Sequence, residues 1–409
     1  MTPVNRVLFI AHDASLFGAQ RMLLTLLQGL DRSRFESHVV APWTGAFVDA
    51  LSPLSIPVDL RQMVRWVPSS IEMKGRHKLP QIARLLAGLR ARVWAVARLI
   101  ERHNIDLVFT NTVTVVEGAL AAHITQKPHV WHIHEPVYDN DELTPLLPAF
   151  AYEKVIGDLS KAVIFPSAAV AHDYRRLESK THIVYNGLRL PTRMDRASAR
   201  MTLVQIYGLD PLKKWIAVVG AVQPRKDHGT FLEAARRVLA VNRDALFLII
   251  GGGPESEVAR LEALLHGLGG EPQVIRLGQW PGDINVVMHA IDLLVISSQQ
   301  ESFGLTMIEA FAAATPVLST RCGGPQEIIE DGINGRLVPI KNPMAMANAI
   351  LDFLTDPATA LAWGARGRDL TQARFTEEAY VQNIQLVMQL ALGSSPTQDK
   401  RSKDIQVSA

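Results

Sequence analysis

The chain has 409 residues, which suits two domains. Charged residues make up 20% and apolar residues 48%, an ordinary charge content with enough apolar material for sizeable cores, and the formal net charge is only +2. A single cysteine, Cys322, excludes an internal disulfide and fits a reducing compartment; no apolar run reaches transmembrane length, and the first residues are interrupted too soon for a signal peptide.

Residues 6–11, RVLFIA, form a short apolar run and predict a buried parallel strand. A loop and a helical pattern over 21–30 follow, with Gly18 near the helix start. Gly18 either lets an acceptor or a phosphate approach the backbone or serves as a turn glycine. Further strands are expected at 37–43, within PVDLRQ, and at 106–112, 129–135, 161–167 and 181–187. His132 and His134 share a face if their strand runs through both. Residues 80–103 predict one long helix, with Ile82, Leu85, Leu86, Leu89, Val93, Val96, Ala97 and Ile100 facing a core.

Charge is unevenly spread. Between residues 61 and 102 ten lysines and arginines stand against two acids, Glu72 and Glu101. Such a field suits an anionic partner. Segment 74–102 therefore reads either as the solvated face of packed helices or as a peripheral contact with an anionic membrane. Nucleic acid is not expected, because no aromatic platform interleaves the charges. The acids of DNDE, residues 139–142, read as a loop or helix-start feature with no third partner for a metal.

Periodicity weakens over 188–209, which reads as a linker. A second series then begins, with strands expected at 215–221, in ALFLII, in QVIRLG, at 290–298, in TPVLST and in GRLVP, each followed by a loop and a helical pattern. Alternating strands and helices imply parallel, doubly wound sheets. A last helix is expected at 376–393, and 394–409 is polar, lacks periodicity and reads as a disordered tail.

The most informative stretch is ESFGLTMIE, from Glu301 to Glu309. One acid sits in a loop after a strand, and the other about one turn into the next helix. Helix N-termini at strand carboxyl ends bind anions. Two acids there either serve the surface and the helix dipole or reach past a phosphate to hydroxyls, as a nucleotide sugar offers. Lys226, with Arg225, precedes a helix start and suits a diphosphate. Gly251, Gly252 and Gly253 permit close backbone approach, but neither half carries GxGxxG, which disfavours NAD. No partner base is identifiable for Cys322, so an inert thiol is expected.

ESFGLTMIEAFAAATPVLST, with seven residues between its two glutamates, resembles the signature of the GT4-type retaining glycosyltransferases of GT-B fold (glycosyl transferases group 1). VYNG, VVGAVQPRKD, LIIGGGPE, RLGQW, GGPQEII and DGINGRLVP agree in order and spacing, and LFGAQRML and WHIHE extend the likeness into the first half. The resemblance implies an α/β architecture of two Rossmann-like doubly wound domains facing across a cleft. Residues 1–190 would bind the acceptor and 191–375 the nucleotide sugar, and the helix at 376–393 would cross back to the first domain. By resemblance, Glu309 holds the ribose hydroxyls and Glu301 lies near the donor sugar. Phe303, Gly304 and Leu305 meet sugar and diphosphate through the backbone, Lys226 binds the diphosphate, and Gly253 lies on the donor side. His134, or else His132 on the acceptor side, is the histidine near the reacting centre; Gly18 belongs to the acceptor loop. Two departures stand out: Ala221 replaces a common arginine, leaving Arg225 as its substitute, and Gln20 replaces a glutamate.

The activity so implied is retaining transfer of a sugar from a UDP- or GDP-sugar to a polysaccharide, glycolipid or lipid-linked acceptor. It needs no metal or other cofactor, and it would take place in the cytoplasm or peripherally on the inner face of the cytoplasmic membrane. The alternatives are a nucleotide-sugar epimerase or hydrolase of the same fold, or a non-catalytic sugar-nucleotide-binding protein.

Overall fold

The computed structural model describes residues 4–73, 77–138, 140, 142–267, 269 and 271–393. The expected tail at 394–409 and the acids Asp139 and Asp141 lie outside the described residues. Two units divide the chain. Leu188–Thr376 forms one, and the described residues before and after it form the other.

In the first unit, seven short, mostly apolar runs make one parallel sheet. They are β1 (Asn5–Ile10), β2 (Phe35–Ala41), β3 (Val58–Leu60), β4 (Leu107–Thr110), β5 (His129–His132), β6 (Ala162–Phe165) and β7 (Thr181–Ile183), in the order β3-β2-β1-β4-β5-β6-β7. Register runs from Val7 opposite Leu107 to Ile10 opposite Thr110 across β1 and β4. Chain order reverses between these two strands, and their carboxyl ends open a crevice there. β1, β4 and β6 are nearly continuous in buried apolar residues, and β5, His-Val-Trp-His, is buried throughout, because helices cover both faces of such a sheet.

The last helix, Glu377–Ala391, belongs to this unit although it follows the second. It packs on helix Gly18–Gly29: Tyr380 donates to the Met22 carbonyl at 3.3 Å, and the Asp31 amide donates to Gln385 at 2.8 Å. A Cβ on Gly29 would come within 2.8 Å of the Val381 side chain, so a small residue lets the two helices meet.

The long helix expected over 80–103 is two helices, Lys78–Leu86 and Leu89–Arg102. The break is at Gly88, whose φ of 70° is left-handed and ends the first helical register. One consequence corrects the expected core stripe. Leu85 is buried, but Leu86 faces solvent at 61% exposure.

The second unit repeats the plan with six parallel strands: β8 (Lys214–Val219), β9 (Ala245–Ile250), β10 (Val274–Gly278), β11 (Leu293–Ile296), β12 (Val317–Thr320) and β13 (Arg336–Val338), in the order β10-β9-β8-β11-β12-β13. The reversal falls between β8 and β11, where Leu293 pairs with Ile216. Helices His228–Leu239 and Pro343–Thr355 pack together on the core, with Phe231, Phe247 and Ile350 fully enclosed.

The stretch 188–209, expected to be a linker, holds helix Arg196–Tyr207. Asp195 caps it by accepting from the Ser198 amide at 2.9 Å, and Gly208 ends it in a left-handed turn. Of its apolar residues Ala199 and Leu203 are buried, and ion pairs help to hold the helix. Arg196 and Arg200 reach Asp292 at 2.6 and 2.8 Å.

Candidate functional site

Three loops converge at the carboxyl ends of β8, β11 and β12. The loop after β8 turns through Pro224–Lys226 into helix His228–Leu239, with Asp227 capping that helix through Thr230. It is fastened to the exit of β11: the Gln299 amide donates to the Arg225 carbonyl, and the Ser297 hydroxyl to the Lys226 carbonyl, both at 2.7 Å. The third loop joins through the backbone. The Glu301 amide donates to the Cys322 carbonyl at 2.6 Å, and the Gly324 amide to the Glu301 carbonyl at 2.9 Å. A Cβ on Gly324 would lie 2.4 Å from Phe303 Cα, so this approach requires glycine.

Glu301 stands at the centre. Its Oε1 accepts from Lys226 Nζ at 2.5 Å and from Ser298 Oγ at 2.6 Å, and Arg225 Nη1 lies 3.4 Å from Oε2. Glu301, Lys226 and Arg225 side chains are 8%, 14% and 26% exposed. Burial alone would raise the Glu301 pKa, but the charges of Lys226 and Arg225, with the Lys226 and Ser298 hydrogen bonds, bring it down to about 2. The carboxylate is therefore ionised throughout the neutral range. Two cations face it, so these three groups retain one positive charge.

The segment after Glu301 leads into helix Leu305–Ala312. Phe303 is buried and meets Phe375 edge-on at 5.8 Å, and Leu305 is half-buried. Gly304 is the residue before the helix, at φ 91°, a conformation that glycine adopts without strain. Glu309, one turn into this helix, is 5% exposed. Gly251 and Gly253 hold the loop after β9 against the loop after β8. A Cβ on Gly251 would sit 1.8 Å from the Gly220 carbonyl oxygen, and one on Gly253 would sit 2.4 Å from that of Val222. The close backbone approach expected of these glycines is thus made to the chain's own loop.

In the first unit a polar cluster occupies the ends of β1, β4 and β5. β5 stops at His132, two residues before His134, yet their rings lie 3.9 Å apart. His134 Nε2 pairs with Asn111 Oδ1 at 2.9 Å, and the Asn111 amide group donates to the Ala19 carbonyl at 2.9 Å, just past Gly18. Gly18 itself begins its helix and is exposed. His12 Nδ1 lies 3.2 Å from Gln20 Nε2. His132 is fully enclosed beside Phe109 and Tyr380, and neither of its ring nitrogens has a hydrogen-bond partner among the described residues. Burial, and then the neighbouring His12, lower the His134 pKa to about 3; burial and then Arg65 lower that of His12 to about 4. These rings are neutral at physiological pH and act as hydrogen-bonding groups, not as cations.

Within the second unit the predicted residues Arg225, Lys226 and Glu301 come together, and in the first His132 and His134 do. Sequence reasoning missed Ser298, His12 and Asn111. Ser298 closes a strand expected at 290–298, and Asn111 is next to last in one expected at 106–112, so polar strand ends were the available signal. Cys322 is buried, and its pKa is pushed up to about 12 by burial and then by the charge of Glu301.

The family model of Glycosyl transferases group 1 matches residues 200–370, and that of Glycosyltransferase Family 4 matches residues 18–190. A D-inositol 3-phosphate glycosyltransferase of Mycolicibacterium gilvum (strain PYR-GCK) is 32% identical over 234 residues, covering 54% of this chain and 50% of that protein. The lipopolysaccharide core biosynthesis glycosyltransferase LpsE of Rhizobium meliloti (strain 1021) is 31% identical over 161 residues, 39% of this chain and 45% of LpsE. The chain spans about half the length of the curated relatives it matches. Among solved structures, Anabaena Alr3699/HepE in complex with UDP superposes with a TM-score of 0.77 at 23% identity, over 94% of this chain and 100% of that one. A glycosyltransferase from Rickettsia africae ESF-5 gives 0.79 at 18% identity, over 96% and 100%. These two likenesses speak to the fold, and GT-B glycosyltransferases share it.

Proposed function

Because the chain belongs to the glycosyl transferases group 1, its first half matching glycosyltransferase family 4, we propose that it transfers a sugar from a nucleoside-diphosphate sugar to a polysaccharide, glycolipid or lipid-linked acceptor, with retention of anomeric configuration. The observation that carries this reading is the cluster of Lys226, Arg225 and Glu301 at the switch point of the second sheet. The second unit holds the donor, with Lys226 and Arg225 on its diphosphate. Glu309 takes the ribose hydroxyls, and Phe303, Gly304 and Leu305 offer backbone to the sugar and phosphates. Departure of a nucleoside diphosphate from an oxocarbenium-like sugar develops negative charge, which two buried-edge cations and a helix N-terminus stabilise without a metal ion. When the diphosphate engages Lys226, Glu301 is released toward the sugar hydroxyls. The first unit serves the acceptor, to which neutral His134, held by Asn111, offers a hydrogen bond. We place the reaction on the cytoplasmic side of the cell envelope, which the single cysteine suits.

The epimerase, hydrolase and binding-protein readings are not favoured, since the curated relatives named above are glycosyltransferases. Uridine donors come first for testing, because the Anabaena neighbour is a complex with UDP. A thermal-shift series with UDP, GDP and their sugars reads binding to the native state. UDP is expected to raise the melting temperature, with the shift lost in Glu309→Gln and reduced in Lys226→Met. Transfer of label to acceptor with no free sugar released then separates transfer from hydrolysis. A panel in which no nucleotide shifts the melting temperature would sink the proposal.

A further inference from the structure

Asn111 joins the helix that begins at Gly18 to the ring of His134, and the chemistry of its two partners decides which way its amide points. It stands one residue past β4, fully buried, and its backbone amide donates to the Ile10 carbonyl at 3.0 Å. Its Nδ2 lies 2.9 Å from the Ala19 carbonyl oxygen. A carbonyl oxygen only accepts, so the NH2 end must face Ala19. Flipping the amide would oppose two acceptor oxygens inside the fold, which leaves both unsatisfied. Oδ1 is thereby turned to His134 Nε2 at 2.9 Å. Oδ1 also only accepts, so the hydrogen in this bond belongs to Nε2.

A proton on Nε2 fixes the rest of the ring. Burial, and then His12, lower the His134 pKa to about 3, so the neutral ring carries a lone pair and no hydrogen on Nδ1. Nδ1 makes no hydrogen bond among the described residues. His134 keeps 8% exposure, whereas His132, its ring 3.9 Å away, has none. The hydrogen bond that His134 offers a ligand is thus one that it accepts. A hydroxyl or an N–H group can meet Nδ1. An ionised phosphate or carboxylate, or a carbonyl oxygen, cannot, because two acceptors would face each other.

We propose that Asn111 is a positioning residue that locks His134 in its Nε2–H tautomer, so that Nδ1 accepts a hydrogen bond from a neutral hydroxyl of the acceptor. The hydroxyl assignment rests on the sugar-transfer reading; the tautomer does not. The acceptor is thereby narrowed to one that presents a free hydroxyl to the first unit, as a sugar or a cyclitol does. His134 orients that hydroxyl and leaves its proton in place, since so weakly basic a ring does not take it up. The lock spans distant parts of the chain: Ala19 sets the amide, the amide sets the ring, and 92 and 23 positions separate the two pairs.

The test reads the tautomer directly. Long-range proton–nitrogen correlation spectra are recorded at neutral pH on the full chain, labelled at histidine nitrogens, with His134 identified by its loss in His134→Gln. The wild-type ring is expected to show a protonated Nε2 and a bare Nδ1. In Asn111→Ala the His134 signals are expected to move toward the Nδ1–H form. In Asn111→Asp, whose carboxylate still accepts from Nε2, the wild-type tautomer is expected to return. An Nδ1–H ring in the wild type, or a tautomer unchanged in a folded Asn111→Ala, overturns the lock, and the wild-type spectrum decides even where a variant fails to fold. The ligand is probed with methyl glucoside and myo-inositol in the presence of UDP. Either polyol is expected to shift the Nδ1 signal in the direction of a received hydrogen bond, and inorganic phosphate is not. The polyol concentration at half-shift is expected to rise about tenfold in Asn111→Ala and to fall back in Asn111→Asp. No shift with either polyol, or an equal shift with phosphate, overturns the hydroxyl assignment. A chain that binds no nucleotide yet shows the Nε2–H ring sinks the sugar-transfer reading and the hydroxyl assignment with it, whereas nucleotide binding beside an Nδ1–H ring sinks the lock alone.

Discussion

Lys226 Nζ lies 2.5 Å from Glu301 Oε1, although 75 positions separate the two in the chain. Glu301 thus neutralises the cation assigned to a diphosphate, and that cation keeps a buried carboxylate charged. Each group makes the other tolerable where water is largely excluded.

Lys226→Met removes the stronger partner while Arg225 and Ser298 remain on Glu301. The loss expected is about 2–3 kcal/mol, less than the roughly 3–5 kcal/mol of a charge left wholly unpaired. Lys226→Met combined with Glu301→Gln should recover part of that loss, because no buried charge is then orphaned. Urea unfolding of the four proteins measures the coupling. Strictly additive losses would contradict the pairing.

Acid should destabilise the fold in two stages. Burial lowers His129 and His134 to about 3 and, with nearby cations, His12 and His228 to about 4, from an ordinary 6.5. Between those values and 6.5 the unfolded chain binds more protons than the folded one, so stability is full above 6.5 and falls as pH drops toward 4 and 3. Glu301 adds a second loss. Its pKa of about 2, against an ordinary 4.5, makes its contribution complete above 4.5 and lost on further acidification. Melting temperatures across pH 7.5 to 4 follow this, and a flat profile from 6.5 to 4.5 would contradict the histidine part.

Cys322 should resist thiol reagents in the native state. Its sulfur is buried and its pKa is raised to about 12, so thiolate is scarce at pH 8. Labelling is expected to be slow in buffer and complete in denaturant. Rapid labelling of the folded chain would show that the loop of Cys322 opens readily.

Arg92 and Arg98 lie six residues apart on one helix and should behave differently. Arg92 bonds the buried Glu117 carboxylate and the carbonyls of Leu85 and Ala87, bracing the helix break. Arg92→Leu is expected to cost about 3 kcal/mol, since Glu117 would be left buried without its cation. Arg98→Ala, at an exposed position, should stay within about 0.5 kcal/mol. Chemical denaturation distinguishes them, and similar losses would refute the inward role of Arg92.

The sequence by itself determined the strand series and the loop motifs at the ends of the second series. Apolar runs bounded by glycine, proline and polar residues mark parallel strands because both faces of such a sheet are buried, and all thirteen observed strands fall where those runs stood. Glu301 and Lys226 were legible because their loops follow strands whose carboxyl ends share one edge. Tertiary structure decided what depends on partners far along the chain. Helix Arg196–Tyr207 escaped notice because only Ala199 and Leu203 of its residues are buried and ion pairs to Asp292 help to hold it. One left-handed residue, Gly88, turned Leu86 from an expected core position to the surface. The split of the basic segment into inward Arg92 and outward Arg98 needed the position of Glu117. The meeting of His12, Asn111 and His134 required three strands in register. The capture of Lys226 by Glu301 required β8 and β11 side by side, since no local pattern encodes which charges a fold brings within hydrogen-bonding distance.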